Sequence, residues 1–260
     1  ANLHLLDSIG RDEAINYTCF HTERAAAIAA DAYSKLKGDF GVLITSSGAS
    51  GTNALTGLAN AWTDSSPLIV ISGQASSDQY CESGIRQLGN KSLNILDIVK
   101  PLTKYAVRVE NPMKLRSILE QAAFYAKEGR PGPVWIDIPI DIQGMVIDNR
   151  NQKKFNPPCI NVNTNQLSID VKNTLYLLRN ANRPVLLVGN GVRLSGAVPI
   201  FHKLVDKINV PVLTSRRGAD IVPNNHKLYF GRPGAYGQRA ANFIIQNSDL
   251  LLSIGARLSI

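Results

Sequence analysis

Cysteine is scarce: Cys19, Cys81 and Cys159 are the only three in 260 residues, odd in number, far apart and without a C-x-x-C pair. That excludes a disulfide framework and a cysteine-rich zinc site, and reduced, buried thiols are expected. Long apolar runs are missing too. The longest, at 67–71 and 249–254, fall well short of the ~20 residues a membrane-spanning helix needs. The first twenty residues scatter Asp7, Arg11, Asp12 and Glu13 among apolar positions, which leaves no continuous core for a secretory signal. Solenoid-period repeats and low-complexity tracts are absent as well. Together these absences lead us to expect a cytoplasmic protein with no membrane partner.

What is present is a globular composition, 44% hydrophobic and 18% charged, which excludes a disordered or collagen-like chain. Acidic residues are outnumbered by basic ones, 20 against 28, leaving a formal charge of +8. An acidic ligand is therefore worth considering. The basic residues are dispersed, neither arrayed along one helix nor interleaved with aromatics, so nucleic acid is not the expected partner.

Short runs rich in Val, Ile and Leu at 41–45, 68–72, 134–138, 185–188, 210–213 and 250–254 predict strands. They are continuous rather than alternating, the pattern of parallel strands buried on both faces. Between them the spacing predicts helices over 22–37, 52–62, 112–127, 167–180, 195–208 and 238–246. This alternation implies a doubly wound, mostly parallel α/β architecture. The polar stretch at 146–166, with Asn149, Asn151, Pro157 and Pro158, reads as a linker between two such units, 1–145 and 167–260. No strand precedes the first helix and the chain closes directly after a strand, so both units are expected to be incomplete.

Thr22 and Glu23 head an Ala-rich helix. In isolation they read as an N-cap and a first-turn acid favoured by the helix dipole. About twenty residues on, the strand at 41–45 runs into the small-residue turn Gly48-Ala49-Ser50-Gly51-Thr52-Asn53 and then a helix. The carboxyl end of a strand is where α/β sheets bind ligands. The block at 57–74 repeats the arrangement and ends on Gly73-Gln74. In the second unit Gly189 and Gly191 open a strand-to-helix turn, but the next glycine is Gly196, which is not the dinucleotide fingerprint. Arg216 and Arg217, in the loop at 214–220, have the chemistry to clamp phosphates. A spacer domain with basic loops reads equally well.

These blocks, with 99–105 and 129–139, resemble the pyrimidine-binding domain of thiamine diphosphate enzymes of the acetolactate synthase-like group. The later part resembles that group's central domain, and the likeness runs along nearly the whole chain. It implies that 1–145 is the pyrimidine-binding domain, lacking its first strand, and that 167–260 is an incomplete Rossmann-like central domain. It implies that Glu23 faces the ring nitrogen N1′ of the cofactor's aminopyrimidine, from a water-poor site with a raised pKa. Gly48, Ala49, Ser50 and Asn53 would lie near the reactive middle of the cofactor, with Asn53 bracing the turn, and Gln74 would point toward cofactor or substrate. Gly191, Arg193, Arg216 and Arg217 become candidate contacts for FAD or an adenine nucleotide, which only some family members bind.

The activity implied is decarboxylation of a 2-oxo acid with carboligation. A decarboxylase or lyase of the oxalyl-CoA decarboxylase or aldehyde lyase type is the alternative, and a non-catalytic nucleotide-binding relative another. Two departures stand out. Ala49 and Ser50 replace the Pro and Gly common in relatives, and Asn90, Lys91 and Ser92 stand where Phe-Gln-Glu is frequent, which favours a more polar or anionic acceptor. The family holds Mg2+ and the diphosphate through a separate domain with a Gly-Asp-Gly motif, which occurs nowhere here. No metal ligand is assigned to this sequence. A homodimer or dimer of dimers is implied, with these 260 residues binding thiamine diphosphate weakly and catalysing nothing alone.

Overall fold

A computed structural model of the chain describes residues 1–79, 85–159 and 163–258, so Cys81 and Gly84 lie outside the described residues. The chain divides into two units, residues 1–159 and 160–260. The first contains α1 (Leu3–Arg11), α2 (Glu23–Lys37), β1 (Gly41–Thr45), α3 (Ala49–Asn53), α4 (Leu55–Asp64), β2 (Leu68–Gln74), α5 (Ile95–Val99), β3 (Tyr105–Arg108), α6 (Leu115–Lys127), β4 (Pro133–Pro139) and α7 (Ile140–Gln143). Its strands form one parallel four-stranded sheet in the order β1-β2-β4-β3.

The continuous apolar runs lie where burial on both faces requires them, since β4 is buried throughout and β2 at all but one position. One face carries Leu58, Ala61, Val70 and Trp135 with Ala27 of α2. The other packs Ile69, Val134 and Ile136 against Ile118 and Ala122 of α6. Strand β1, at one edge of this sheet, alternates instead and leaves Val42 exposed. Small residues bring α2 close to α4: a Cβ on Gly57 would lie 2.5 Å from Ala27 Cβ and 2.8 Å from the Ile28 nitrogen. Thr22 caps α2 by accepting from the Ala25 N–H at 3.3 Å, and Gly38, with φ 68°, closes it in the left-handed region.

The second unit contains α8 (Thr164–Asn180), β5 (Pro184–Val188), α9 (Gly191–Leu194), α10 (Val198–Ile208), β6 (Val212–Thr214), α11 (Arg239–Asn247) and β7 (Leu250–Ile254). Its sheet is parallel, three-stranded and ordered β6-β5-β7. Among the described residues no helix is long and apolar enough to cross a membrane.

Several sequence expectations need correction. The helix expected over 195–208 breaks at Gly196, whose φ of 68° is incompatible with a right-handed helix, and α10 restarts with proline in its first turn. Strand β3 escapes the pattern because its four residues are only half-buried, at an edge. The turn before 52 is already helical, forming α3. Cys19 and Cys159 are exposed rather than buried, because both lie outside any strand or helix that would pack them into a core.

Much of the stretch read as a linker is docked on the first unit. Gln152 accepts from the Arg116 N–H at 3.2 Å and donates to the Pro112 carbonyl at 3.1 Å. The Phe155 N–H donates to Glu120 at 2.7 Å, and its ring lies 5.5 Å from that of Phe124.

Candidate functional site

Strand β1 ends at Thr45, and the chain turns through Ser46, Ser47 and Gly48 into α3. Gly48 has φ 65° and ψ −129°, and a Cβ there would lie 2.7 Å from the Lys91 carbonyl oxygen. Only glycine meets both demands. Helix α3 then presents Ser50 and Asn53, three residues apart and hence on one face. Ser50 Oγ donates to Glu23 Oε1 at 2.6 Å, and Asn53 Nδ2 donates to Glu23 Oε2 at 2.7 Å. One carboxylate is thus gripped at both oxygens.

This geometry corrects the expected raised pKa of Glu23. The Ser50 hydroxyl and then the Asn53 amide hold its carboxyl below the usual range, and half-burial opposes them without prevailing. Asn53, expected to brace its own turn, braces Glu23 instead. Gly48 is buried beneath the turn, while Ala49 is exposed on it.

Gln74 is turned into the core, not toward an open site. It is 1% exposed, its amide nitrogen donates to the Leu93 carbonyl at 3.0 Å and to Asp137 Oδ2 at 3.2 Å, and its carbonyl accepts from the Ala75 N–H at 3.0 Å. Both amide hydrogens are used within the protein, and the carbonyl oxygen accepts from the neighbouring backbone. Asp137, wholly buried, also accepts from Ser72 Oγ at 2.6 Å and pairs with Arg108 Nε at 3.2 Å, while Trp135 Nε1 donates to Ser72 Oγ at 2.8 Å. Burial pushes the Asp137 carboxyl up against the opposing pull of Ser72, Arg108 and Gln74. Gln74 therefore ties the segment around Leu93, which abuts the Gly48 turn through Lys91, to the sheet.

In the second unit the glycines serve chain packing. A Cβ on Gly189 would lie 2.3 Å from Ala256 Cα, and one on Gly191 would lie 2.7 Å from Gly255 Cα. Arg193 is committed to the protein: it pairs with Asp220 at 2.6 Å and donates to Asn190 Oδ1 at 3.0 Å and the Arg217 carbonyl at 3.4 Å. Arg216 is exposed and Arg217 half-buried on the turn after β6. The four candidate nucleotide residues thus share one end of the sheet, but Gly191 and Arg193 have internal reasons to be there.

Sequence reasoning reached Glu23, Gly48, Ser50 and Asn53 but not Thr45 or Asp137. A polar residue closing an apolar strand is the signal that marks Thr45.

Residues 1–93 match the family model described as the N-terminal TPP binding domain of thiamine pyrophosphate enzymes, and residues 171–260 match the central domain of the same enzymes. The chain is similar to the "Probable acetolactate synthase large subunit" of Methanococcus aeolicus, 34% identical over 265 residues, covering 100% of this chain and 43% of the relative. It is also similar to the acetolactate synthase large subunit of Lactococcus lactis, 32% identical over 99% of this chain and 44% of the relative. Identity to the acetolactate synthase isozyme 2 large subunit of Escherichia coli is 34% over 92% of this chain and 42% of the relative. The chain thus spans less than half the length of these curated relatives. Its two parallel α/β units carry the two matched domains in the order in which the relatives align, and the chain belongs to the thiamine pyrophosphate enzymes.

Proposed function

We propose that the whole protein is a thiamine diphosphate-dependent enzyme that makes or breaks C–C bonds next to a carbonyl, decarboxylating a 2-oxo acid and joining the remainder to a second carbonyl as acetolactate synthase does. The observation that carries this reading is the Glu23 carboxylate, held by Ser50 and Asn53 at the carboxyl end of β1 within the segment matched to the TPP-binding domain.

The residues fit an aminopyrimidine. Glu23 is half-exposed, and each of its oxygens keeps a lone pair beyond the hydrogen bond it accepts. Gly48 lets the turn that carries Ser50 and Asn53 pack closely on the Lys91 backbone, which fixes the two donors around the carboxylate. When bound, the cofactor supplies the nucleophilic carbon and the electron sink. Glu23 holds or gives the proton at ring nitrogen N1′, while Ser50 and Asn53 fix the direction of its carboxylate. We assign Mg2+ and the diphosphate to residues outside this sequence. The same reading includes a homodimer or dimer of dimers in the cytoplasm. It also includes a flavin or adenine nucleotide, for which the exposed Arg216 is a basic contact.

A decarboxylase or lyase of the same family is the alternative, and a different acceptor for the carboligation draws on one observation. Lys91, whose backbone packs over Gly48 in a left-handed conformation with φ 55°, leaves an exposed cation beside the site. That favours an anionic acceptor or donor. The test of the shared chemistry is Glu23→Gln in the whole protein: hydrogen–deuterium exchange at C2 of the bound cofactor is expected to slow drastically. An unchanged rate overturns the assignment.

A further inference from the structure

Ser50 Oγ has more partners than Glu23. It accepts from the Ser46 N–H at 3.1 Å and lies 2.8 Å from Thr45 Oγ1, while Thr45 Oγ1 in turn lies 3.5 Å from the Ser46 carbonyl oxygen. Thr45 is buried, so neither hydroxyl is readily replaced by bulk water. We propose that Thr45 and Ser50 form a two-state hydroxyl relay that keeps Glu23 anchored whether or not it carries a proton. This rests on the reading of Glu23 as the group that exchanges a proton with the cofactor ring.

Hydroxyl arithmetic defines the two states. With Glu23 ionised, Ser50 must donate to it, so its two acceptor sites take the Ser46 N–H and the Thr45 hydroxyl proton. With Glu23 protonated on Oε1, the direction reverses: Glu23 donates to Ser50, Ser50 donates to Thr45, and Thr45 turns its proton to the Ser46 carbonyl. No bond to a heavy atom breaks, and every proton stays on its own oxygen. Only two rotors turn. The Ser46 N–H remains on Ser50 throughout and keeps the oxygen in place. Asn53 takes no part in the switch, because its amide nitrogen donates to Oε2 in both states and cannot reverse direction. The low proton affinity of Glu23 agrees with the ionised state being the resting one.

Among the described residues, the charged or titratable groups closest to Glu23 in the chain are His21 and Arg24, and Lys91 belongs to the segment packed on Gly48; none of the three is changed in the comparison below. Neither β1 nor α3 contains an acid or a base, and α4 carries only Asp64, which pairs with Lys35 at 2.7 Å on the last turns of α2 and α4.

The experiment is a carboxyl 13C NMR titration of Glu23 in the full 260-residue chain without cofactor, comparing Ser50→Ala and Thr45→Val. Ser50→Ala removes a donor to the anion, so the Glu23 midpoint is expected to move up. Thr45→Val leaves that donor but strands the Ser50 proton when Glu23 is protonated. A half-buried donor that loses its partner raises the cost of the protonated state, so the midpoint is expected to move down. In the whole enzyme Ser50→Ala is expected to slow C2 exchange by about tenfold, the weight of one hydrogen bond to a charged group. Opposite shifts support the relay. A midpoint unmoved by Ser50→Ala, or one that Thr45→Val leaves in place or raises, overturns it. These titrations need no cofactor, so they separate failure of the relay from failure of the Glu23 assignment, which Glu23→Gln tests.

Discussion

Asn53 and Glu23, thirty residues apart in sequence, meet at 2.7 Å between the Asn53 amide and Glu23 Oε2. The contact joins the second half of a small-residue turn to the first residue of α2. After the stronger pull of Ser50, it is the second cause of the carboxylate's lowered pKa. Because its pKa is lowered in the folded chain, Glu23 contributes stability that is complete above its unfolded value and lost as pH falls through the folded one. Asn53→Ala is expected to shrink that acid-side loss. Urea midpoints of wild type and variant should therefore converge as pH drops from about 6 toward 3. A difference that is constant with pH would contradict the contact.

Asp137 presents the opposite case. It is a buried acid whose pKa is raised, so the stability linked to it is greatest at low pH and declines as pH rises through its folded value. Asp137→Asn should abolish that slope. The amide has one oxygen to accept from Arg108 and Gln74, and its nitrogen faces Ser72 where a carboxylate oxygen accepted before. The expected cost is about 1–3 kcal/mol in equilibrium urea unfolding. A loss below about 1 kcal/mol would show that the pair matters little.

Gly57 is packed against the backbone of α2, with nothing flexible to yield. Gly57→Ala is expected to cost about 1–3 kcal/mol, although alanine is the better helix former. It should also displace α2 and with it Glu23. A gain in melting temperature would refute the close approach of α2 and α4.

For the second unit, Gly191→Ala should lower the melting temperature with no nucleotide present, since the added carbon meets Gly255. Arg193→Ala, whose ion pair with Asp220 is largely exposed, should cost at most about 1 kcal/mol. Calorimetry with FAD and ATP on both variants checks the alternative. A change confined to nucleotide affinity, with melting unaltered, would restore these residues to a ligand role.

The 260 residues on their own are expected to bind thiamine diphosphate weakly and to show no turnover. Isothermal calorimetry with and without Mg2+ measures this. Tight, magnesium-dependent binding would overturn it and place the metal contacts within this sequence.

Six strands were legible as apolar runs because a parallel strand covered on both faces has no polar side to show. Strand β3, half-buried at an edge, had no such signature. Helix α2 announced itself through Thr22 and Gly38, whose capping roles depend only on neighbours a few residues away. The break between α9 and α10 was harder to see, because Gly196 is tolerated in many helices and only its left-handed backbone ends this one. At the site, Glu23, Ser50 and Asn53 could be named from their order and composition. Their mutual grip could not, because it crosses from α2 to α3.

The sequence by itself determined the class of fold, the division into two α/β units and the placing of small residues after β1. These depend on hydrophobic periodicity and backbone conformation, which are local. Only the tertiary structure decided which polar groups spend their hydrogen bonds on the protein and which keep capacity for a ligand. It turned Gln74 inward, paired Arg193 with Asp220, exposed Cys19 and Cys159, and lowered the proton affinity of Glu23 where shielding was expected to raise it. The physical reason is that a side chain's partners and its desolvation come from segments remote in the chain, and their balance exists only once those segments are packed together.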